Sequence, residues 1–318
     1  MSNFKFFDNN KNSANSSNAV VIKETENPNL AHKEQNVAEK KEYRYRSEQI
    51  LLTKFDGIAV NNGSTKREFV VTKQTAGNKT QVGVKLTDNV ITFNPNEMQD
   101  AITLLCDTDN IKCNVKVDVD PDTGKIRNIL NHEEIINEWE NYKNNLAKKF
   151  EFARQSDVIT NLDKFTRLID VQINNVEMLK DDLGTKMFIE LFFDKYLVNK
   201  EAFDPYVKQF GSQLFEGTLL DFKFDQSIIY ETPDYVDVEK IGVLNRNSFD
   251  SAKIEQVYNS KFQPVIGYRF TAFDFSFKQT IRYNKKENII EHAEVSIVEE
   301  VKNNVQLVIN YELKRIEL

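Results

Sequence analysis

Residues 131 to 199 carry one helix signal after another and lie between two stretches of β-type alternation, which leaves few architectures open. The first helix is expected to open at Asn131, whose side chain can accept from an orphan backbone N–H while Glu134 reaches back. Ile135, Trp139, Tyr142, Leu146, Phe150 and Ala153 then recur at steps of four and three, one apolar stripe down one face. Asp157 suits the cap of a second helix with the stripe Leu162, Phe165, Ile169, Ile173, Val176 and Leu183. A third helix, 187 to 198, is apolar on most sides and is expected to be buried. It is too short to span a bilayer, which takes ~20 apolar residues.

The flanking sequence alternates with a period of two. Tyr43 to Phe55 reads as a long strand, and 67–75 with 80–86 form a hairpin around Gly77-Asn78. A short strand at 90–93 and a helix-like run from Pro95 to Leu105 follow. In 111–120, Val115, Val117 and Val119 face one way; a turn at Pro121-Asp122-Thr123-Gly124 then leads to a returning strand. After the helices, Leu220, Phe222 and Phe224 share one strand face, and 246–264 is open between short helix and loop. Phe273, Phe275, Phe277, Ile281 and Tyr283 share another face, with a bulge expected near Thr271-Ala272. Ala293, Val295 and Ile297, then Val305, Leu307, Ile309, Tyr311 and Leu313, complete an antiparallel meander. These strands exceed the ~5–6 residue mode, and long strands with one apolar face twist and curl around whatever they cover.

The expected fold is therefore α+β: long, curved antiparallel sheets, a meander tending to a barrel or cup, packed on a central block of three α-helices. The division is a flexible polar tail at 1–42, a β-rich part at 43–130, the helical block at 131–210 and a second β-rich part at 211–318. Residues 43–318 are expected to form one integrated unit. A strand–turn–strand pattern at 111–130 and near 275–298 raises the question of two related halves. The tail is rich in Asn, Lys, Glu and Ser, and its apolar residues cluster at Phe4, Phe6, Phe7 and at Val20, Val21, Ile22. Such a segment buries too little to offset its ordering entropy, so those two patches are where a partner would grip.

Composition narrows the function classes. A 318-residue chain with 40% hydrophobic residues, 23 Phe and 11 Tyr can build a substantial core. Net charge is −7 with no basic stripe, which argues against nucleic acid. No secretory signal and no apolar run long enough for a membrane span occurs, so the cytoplasm is the expected location. Cys106 and Cys113 fit no usual zinc spacing; two free thiols are expected, with a disulfide across the loop as the alternative.

Catalytic signatures are sparse. Asp118-x-Asp120-x-Asp122-x-Gly124 resembles the start of a calcium loop but has Thr123 at the sixth position and Ile129 at the twelfth, where Gly and Glu belong. The letters are better explained by a strand and a turn. His32, His132 and His292 sit in no metal frame, with His132 expected as a first-turn residue, and no phosphate-cradling glycine loop or nucleophile elbow occurs. No catalytic residue, metal ligand or cofactor is assigned. The first expectation for function is a non-catalytic protein-interaction role (adaptor, chaperone or inhibitor-like), gripping a protein partner through Phe4, Phe6, Phe7, Val20, Val21 and Ile22. The second is a carrier of an apolar small ligand in an aromatic-lined β cup made by Phe222, Phe224, Phe273, Phe275, Phe277 and Tyr283, which requires free space inside that cup. The third is a hydrolase with dispersed catalytic residues.

Overall fold

The computed structural model describes residues 40–77, 79–94, 99–150, 156–199 and 203–317. The tail residues Phe4, Phe6, Phe7, Val20, Val21 and Ile22 therefore lie outside the described residues.

The period-two pattern becomes eleven antiparallel strands: β1 (Lys40–Phe55), β2 (Ile58–Ala76), β3 (Lys79–Asn94), β4 (Val115–Val119), β5 (Ile126–Ile129), β6 (Tyr206–Gly211), β7 (Leu219–Glu231), β8 (Tyr235–Leu244), β9 (Phe273–Asn284), β10 (Ile289–Val301) and β11 (Val305–Ile316). They form a single sheet in the order β5-β4-β3-β2-β1-β11-β10-β9-β8-β7-β6. The two β-rich parts meet where β1 pairs with β11, Arg44 opposite Ile316 and Phe55 opposite Val305. Each half is otherwise a sequential meander, and the ends β5 and β6 do not pair with one another.

One face carries the core. Along β9 every second residue from Phe273 to Tyr283 is buried, and β11 does the same from Val305 to Leu313. Against this face lie α1 (Gln99–Lys112), α2 (His132–Phe150), α3 (Ser156–Asn174), α4 (Val176–Gly184), α5 (Met187–Phe192) and a single 3₁₀ turn (Lys195–Leu197). Two further helices, α6 (Ser251–Lys261) and α7 (Gln263–Ile266), occupy the segment that the sequence left open.

Several local expectations change. Asn131 does not cap α2 with its side chain: its Oδ1 accepts from the Lys116 backbone N–H at 2.7 Å and its Nδ2 donates to the Asn114 carbonyl at 2.9 Å. Glu134 faces Lys116 Nζ, 3.2 Å away. Asp157 falls inside α3, whose helix begins at Ser156. The expected second helix is two, because Asn175 takes an extended conformation and accepts from the Glu177 and Met178 N–H groups, starting α4 afresh. Thr271-Ala272 is not a bulge; β9 begins at Phe273, and the nearest register shift is between Ile290 and His292. The turn at 121–124 is as expected: Asp120 Oδ1 accepts from the Asp122 and Thr123 N–H groups and the Thr123 hydroxyl, and Gly124 sits at φ +72°. Cys106 and Cys113 are both free.

Trp139 anchors the helices. It is 0% exposed and its Nε1 donates to Asp170 on α3 at 2.7 Å, while Lys143 holds the same carboxylate at 2.9 Å. Tyr142 donates to Asp107 of α1, and His132 Nε2 donates to the Ile173 carbonyl at 2.6 Å. Trp139→Ala should lower unfolding free energy by about 3–5 kcal/mol in urea denaturation, the usual cost of deleting a buried aromatic. A loss under ~1 kcal/mol would place this side chain outside the cooperative core.

Candidate functional site

The segment from 186 to 197 is the innermost part of the helical block. Met187, Phe188, Ile189, Leu191, Phe192, Phe193, Tyr196 and Leu197 are all buried. Phe188 stacks on Phe69 of β2 at 3.9 Å between ring centroids and meets Tyr45 of β1 edge-on at 5.7 Å. Tyr196 stacks on Tyr283 of β9 at 4.0 Å. The segment thus touches both halves of the sheet.

Besides Lys195 it carries three charged residues at a spacing of four: Lys186, Glu190 and Asp194. Each is fastened to a different element. Lys186 Nζ lies 2.6 Å from Asp109 of α1 and 3.6 Å from Asp182 of α4. Asp109 also binds Arg67 of β2 at 2.8 Å, and Asp182 binds Lys112 at 2.8 Å. Glu190 is held by Lys208 of β6, and by Lys125, the residue before β5, at 3.2 Å. Asp194 is held by Lys240 of β8 at 2.7 Å, and its carboxylate caps the 3₁₀ turn through the Tyr196 N–H.

Burial alone would push Glu190 and Asp194 up. Lys125 and Lys208 outweigh it for Glu190, and Lys240 and Lys125 for Asp194, so both stay below the ordinary carboxylate range. Burial pulls Lys208 down to about 8: Glu190 opposes the fall, while Lys125 and Lys240 add to it. The turn before Lys125 is also pressed on this segment, since a Cβ on Gly124 would lie 2.0 Å from the Asp194 carbonyl oxygen.

The six aromatic residues expected to line a cup are brought together on one face of β7 and β9, and all six are buried. Phe222 packs on Phe275 at 4.7 Å, Phe224 on Phe277 at 5.1 Å, and Phe273 meets Phe215 at 5.4 Å. Among the described residues this face is filled by the chain's own side chains. Two concavities lie elsewhere and are polar: one of about 320 Å³ beside Asp88, Asn89 and Glu138, and one of about 570 Å³ beside Glu287, Glu291 and Arg315.

Two further clusters have chemical potential. On the outer face of β10 and β11, His292 Nε2 lies 3.2 Å from Glu312 and 3.9 Å from Glu294, a set of atom types able to hold a metal. Lys314 already pairs with Glu312 at 2.5 Å. On the inner face, Glu299 accepts from the Ser212 hydroxyl and from the Gln213 N–H at 2.8 Å and the Leu214 N–H at 3.3 Å. It pins the β6–β7 loop, whose Phe215 is fully buried, across one end of the sheet. Burial pushes Glu299 up to about 7 despite those donors.

Sequence reasoning found the aromatic face and missed the clasp. The signal was present as charges at Lys186, Glu190 and Asp194, spaced by four within a mostly apolar run. Their partners on α1, β6 and β8 are distant in sequence and left no local mark.

Comparison with known proteins finds no matching family model and no matching curated protein. Among solved structures the chain is similar to one titled "Lipid-protein interactions in lipovitellin", with TM-score 0.43 and 12% identity, over 87% of this chain and 25% of that one. The chain spans a quarter of that protein, and a likeness this distant decides nothing about function. No described helix is long and apolar enough to cross a membrane.

A group whose folded pKa lies above its unfolded value stabilises fully below the unfolded pKa and loses that contribution as pH rises through the folded one. For Glu299 the window runs from about 4.5 to about 7. Glu299→Gln, which keeps an acceptor for the loop N–H groups, should therefore flatten the stability profile of the full chain between those values. Equal slopes for the two proteins in urea titrations would show that Glu299 titrates alike in the folded and unfolded chain.

Proposed function

We propose that this chain is a non-catalytic binding protein that takes up an apolar ligand by exchanging it for the 186–197 segment. The single observation behind this reading is the way the aromatic face is covered. Phe210 and Phe215 cover most of the rings, while the 186–197 segment reaches the face through Tyr196 on Tyr283 and is held to the sheet's unpaired ends by charge pairs. Buried ion pairs add little net stability compared with apolar residues of the same size, so a permanent core has no need of them. They fix one position well and release it as a unit once water enters. The energies also match in scale. Burying seven large apolar side chains contributes about 10–20 kcal/mol at 1.5–3 each, and a sixteen-carbon chain about 12 kcal/mol at 0.8 per methylene. The ligand class is accordingly long-chain.

The test is uptake of the neutral probe diphenylhexatriene, followed by its fluorescence, with folding checked by circular dichroism. Glu190→Gln should take up the probe at least several-fold faster than the wild type because the clasp is gone. Lys125→Met, at a half-exposed lysine, serves as the milder variant should the first fail to fold. Absence of uptake by wild type and folded variants alike would exclude the exchange.

The protein-interaction role is supported by a different observation. Among the described residues β6 pairs with β7 up to Tyr206 opposite Phe224, and residues 225–231 of β7 beyond it carry exposed Ile228, Ile229 and Tyr230. An exposed apolar stretch of this kind suits strand addition by a protein partner. In that case Ile229→Lys should abolish co-purification of the partner without changing Tm, and Phe6→Asp with Val21→Asp tests the tail in the same pull-down. Unchanged recovery from all three substitutions would remove this reading.

A further inference from the structure

Strand β10 alternates buried and solvent-facing residues, and His292, Glu294 and Ser296 fall on the face opposite the core. Register sets Glu294 directly across from Glu312 of β11, and Glu312 directly across from Glu48 of β1. Three carboxylates thus stand in one row over three neighbouring strands, although like charges directly opposite one another are destabilising. Cations are needed to hold such a row. Lys66 meets Glu48 at 3.4 Å and Lys314 meets Glu312 at 2.5 Å. His292, one row along, turns its Nε2 to within 3.2 Å of Glu312 Oε1 and 3.9 Å of Glu294 Oε1.

Backbone geometry brings these three atoms together. Residues two apart on a strand share a face, and the paired strand supplies the third group at the same level. The spacing has a chemical meaning, because ligand atoms around a tetrahedral zinc at ~2.0–2.1 Å stand about 3.3 Å apart. The distance from His292 to Glu312 already matches. That from His292 to Glu294 must shorten by about 0.6 Å, which a change in the torsions of an exposed glutamate supplies. One imidazole with two carboxylates suits zinc and its first-row neighbours, whereas magnesium and calcium take oxygen ligands. Lys314 is 58% exposed, so its ammonium can leave Glu312 for water when a doubly charged ion arrives.

We propose that His292 Nε2, Glu294 and Glu312 bind a zinc-class divalent cation on the outer face of β10 and β11, with water at the remaining position and Lys314 displaced. The ion ties the two strands together beside the pairing of β11 with β1. The site is on the opposite side of the sheet from the 186–197 segment and is independent of any exchange of that segment.

Equilibrium dialysis of the full chain against zinc chloride, and separately against magnesium chloride, tests the site. The wild type should take up one zinc ion per chain, with affinity at least tenfold weaker in His292→Ala. Glu294→Gln makes the same test at a largely exposed position should the first variant fail to fold. Magnesium should bind at least tenfold more weakly than zinc, since only two of the three ligands suit it. Lys314→Met, which removes the competing ammonium, should tighten zinc binding several-fold. Zinc should also raise the Tm of the wild type and leave that of His292→Ala unchanged. A zinc Kd weaker than ~1 mM in both the wild type and Lys314→Met would overturn the proposal. So would zinc uptake that survives His292→Ala and Glu294→Gln undiminished, magnesium binding equal to zinc, or an affinity unmoved by Lys314→Met.

Discussion

Glu190 sets the shape of the molecule. Eleven strands at ~4.8 Å spacing would extend about 48 Å if laid flat. Yet Lys125, next to one end strand, and Lys208, on the other, both reach the same carboxylate. The sheet must curl until its two unpaired ends face each other across a single side chain. Right-handed twist and long strands supply the tendency to curl, and the apolar 186–197 segment supplies what the sheet curls around. The seam lacks the backbone hydrogen bonds that would make a closed barrel; salt bridges and the contact between Gly124 and Asp194 take their place. That is a specific but less cohesive closure.

Electrostatics therefore does different work in different parts of this fold. At the surface, pairs such as Arg282 with Asp237 on β8 and β9 are exposed on the arginine side, where an ion pair contributes ~0–1 kcal/mol. Around the inner segment the pairs are desolvated, and removing one partner strands the other in a poor solvent at a cost of about 3–5 kcal/mol. Burial would push Asp109 up, but Lys186, Arg67 and Lys112 hold it well below the usual carboxylate range, so it stays charged between α1 and the start of α5. A fold that fixes its innermost element with charges gains a defined position for it.

The period-two and period-3.6 patterns announced the strands and the amphipathic helices because each depends on residues a few positions apart. The buried alternation of β9 to β11 and the stripe through Ile135 and Trp139 were legible for that reason. Asn131 was misread because an Asn ahead of a helix has two outlets: here its amide met the backbone of β4, a neighbour that the local sequence does not reveal. The stripe from Leu162 to Leu183 looked continuous because a single capping residue, Asn175, restarts a helix without disturbing the apolar spacing. The aromatic residues of β7 and β9 could be placed on one face from the alternation alone. Whether that face was empty or occupied depended on where Phe210, Phe215 and Tyr196 land, which is a tertiary fact. The same limit hid the lysines, since a basic residue on a strand's inward face looks like a break in the pattern until its acid is found.

The pairing of β1 with β11 has a consequence for how the chain reaches this state. A ribosome delivers β1 to β5 and the helices well before β11, so the early chain holds β1 with one neighbour satisfied by β2 and its other edge bare. Hydrogen bonding along that edge waits for residues some 260 positions later, with Gln49 and Tyr311 opposite one another in the finished sheet. Contacts of such long sequence separation slow folding and leave sticky edges exposed in the interval. Joining β11 directly to β1 by circular permutation would turn the longest-range pairing of the sheet into a local hairpin and remove that interval.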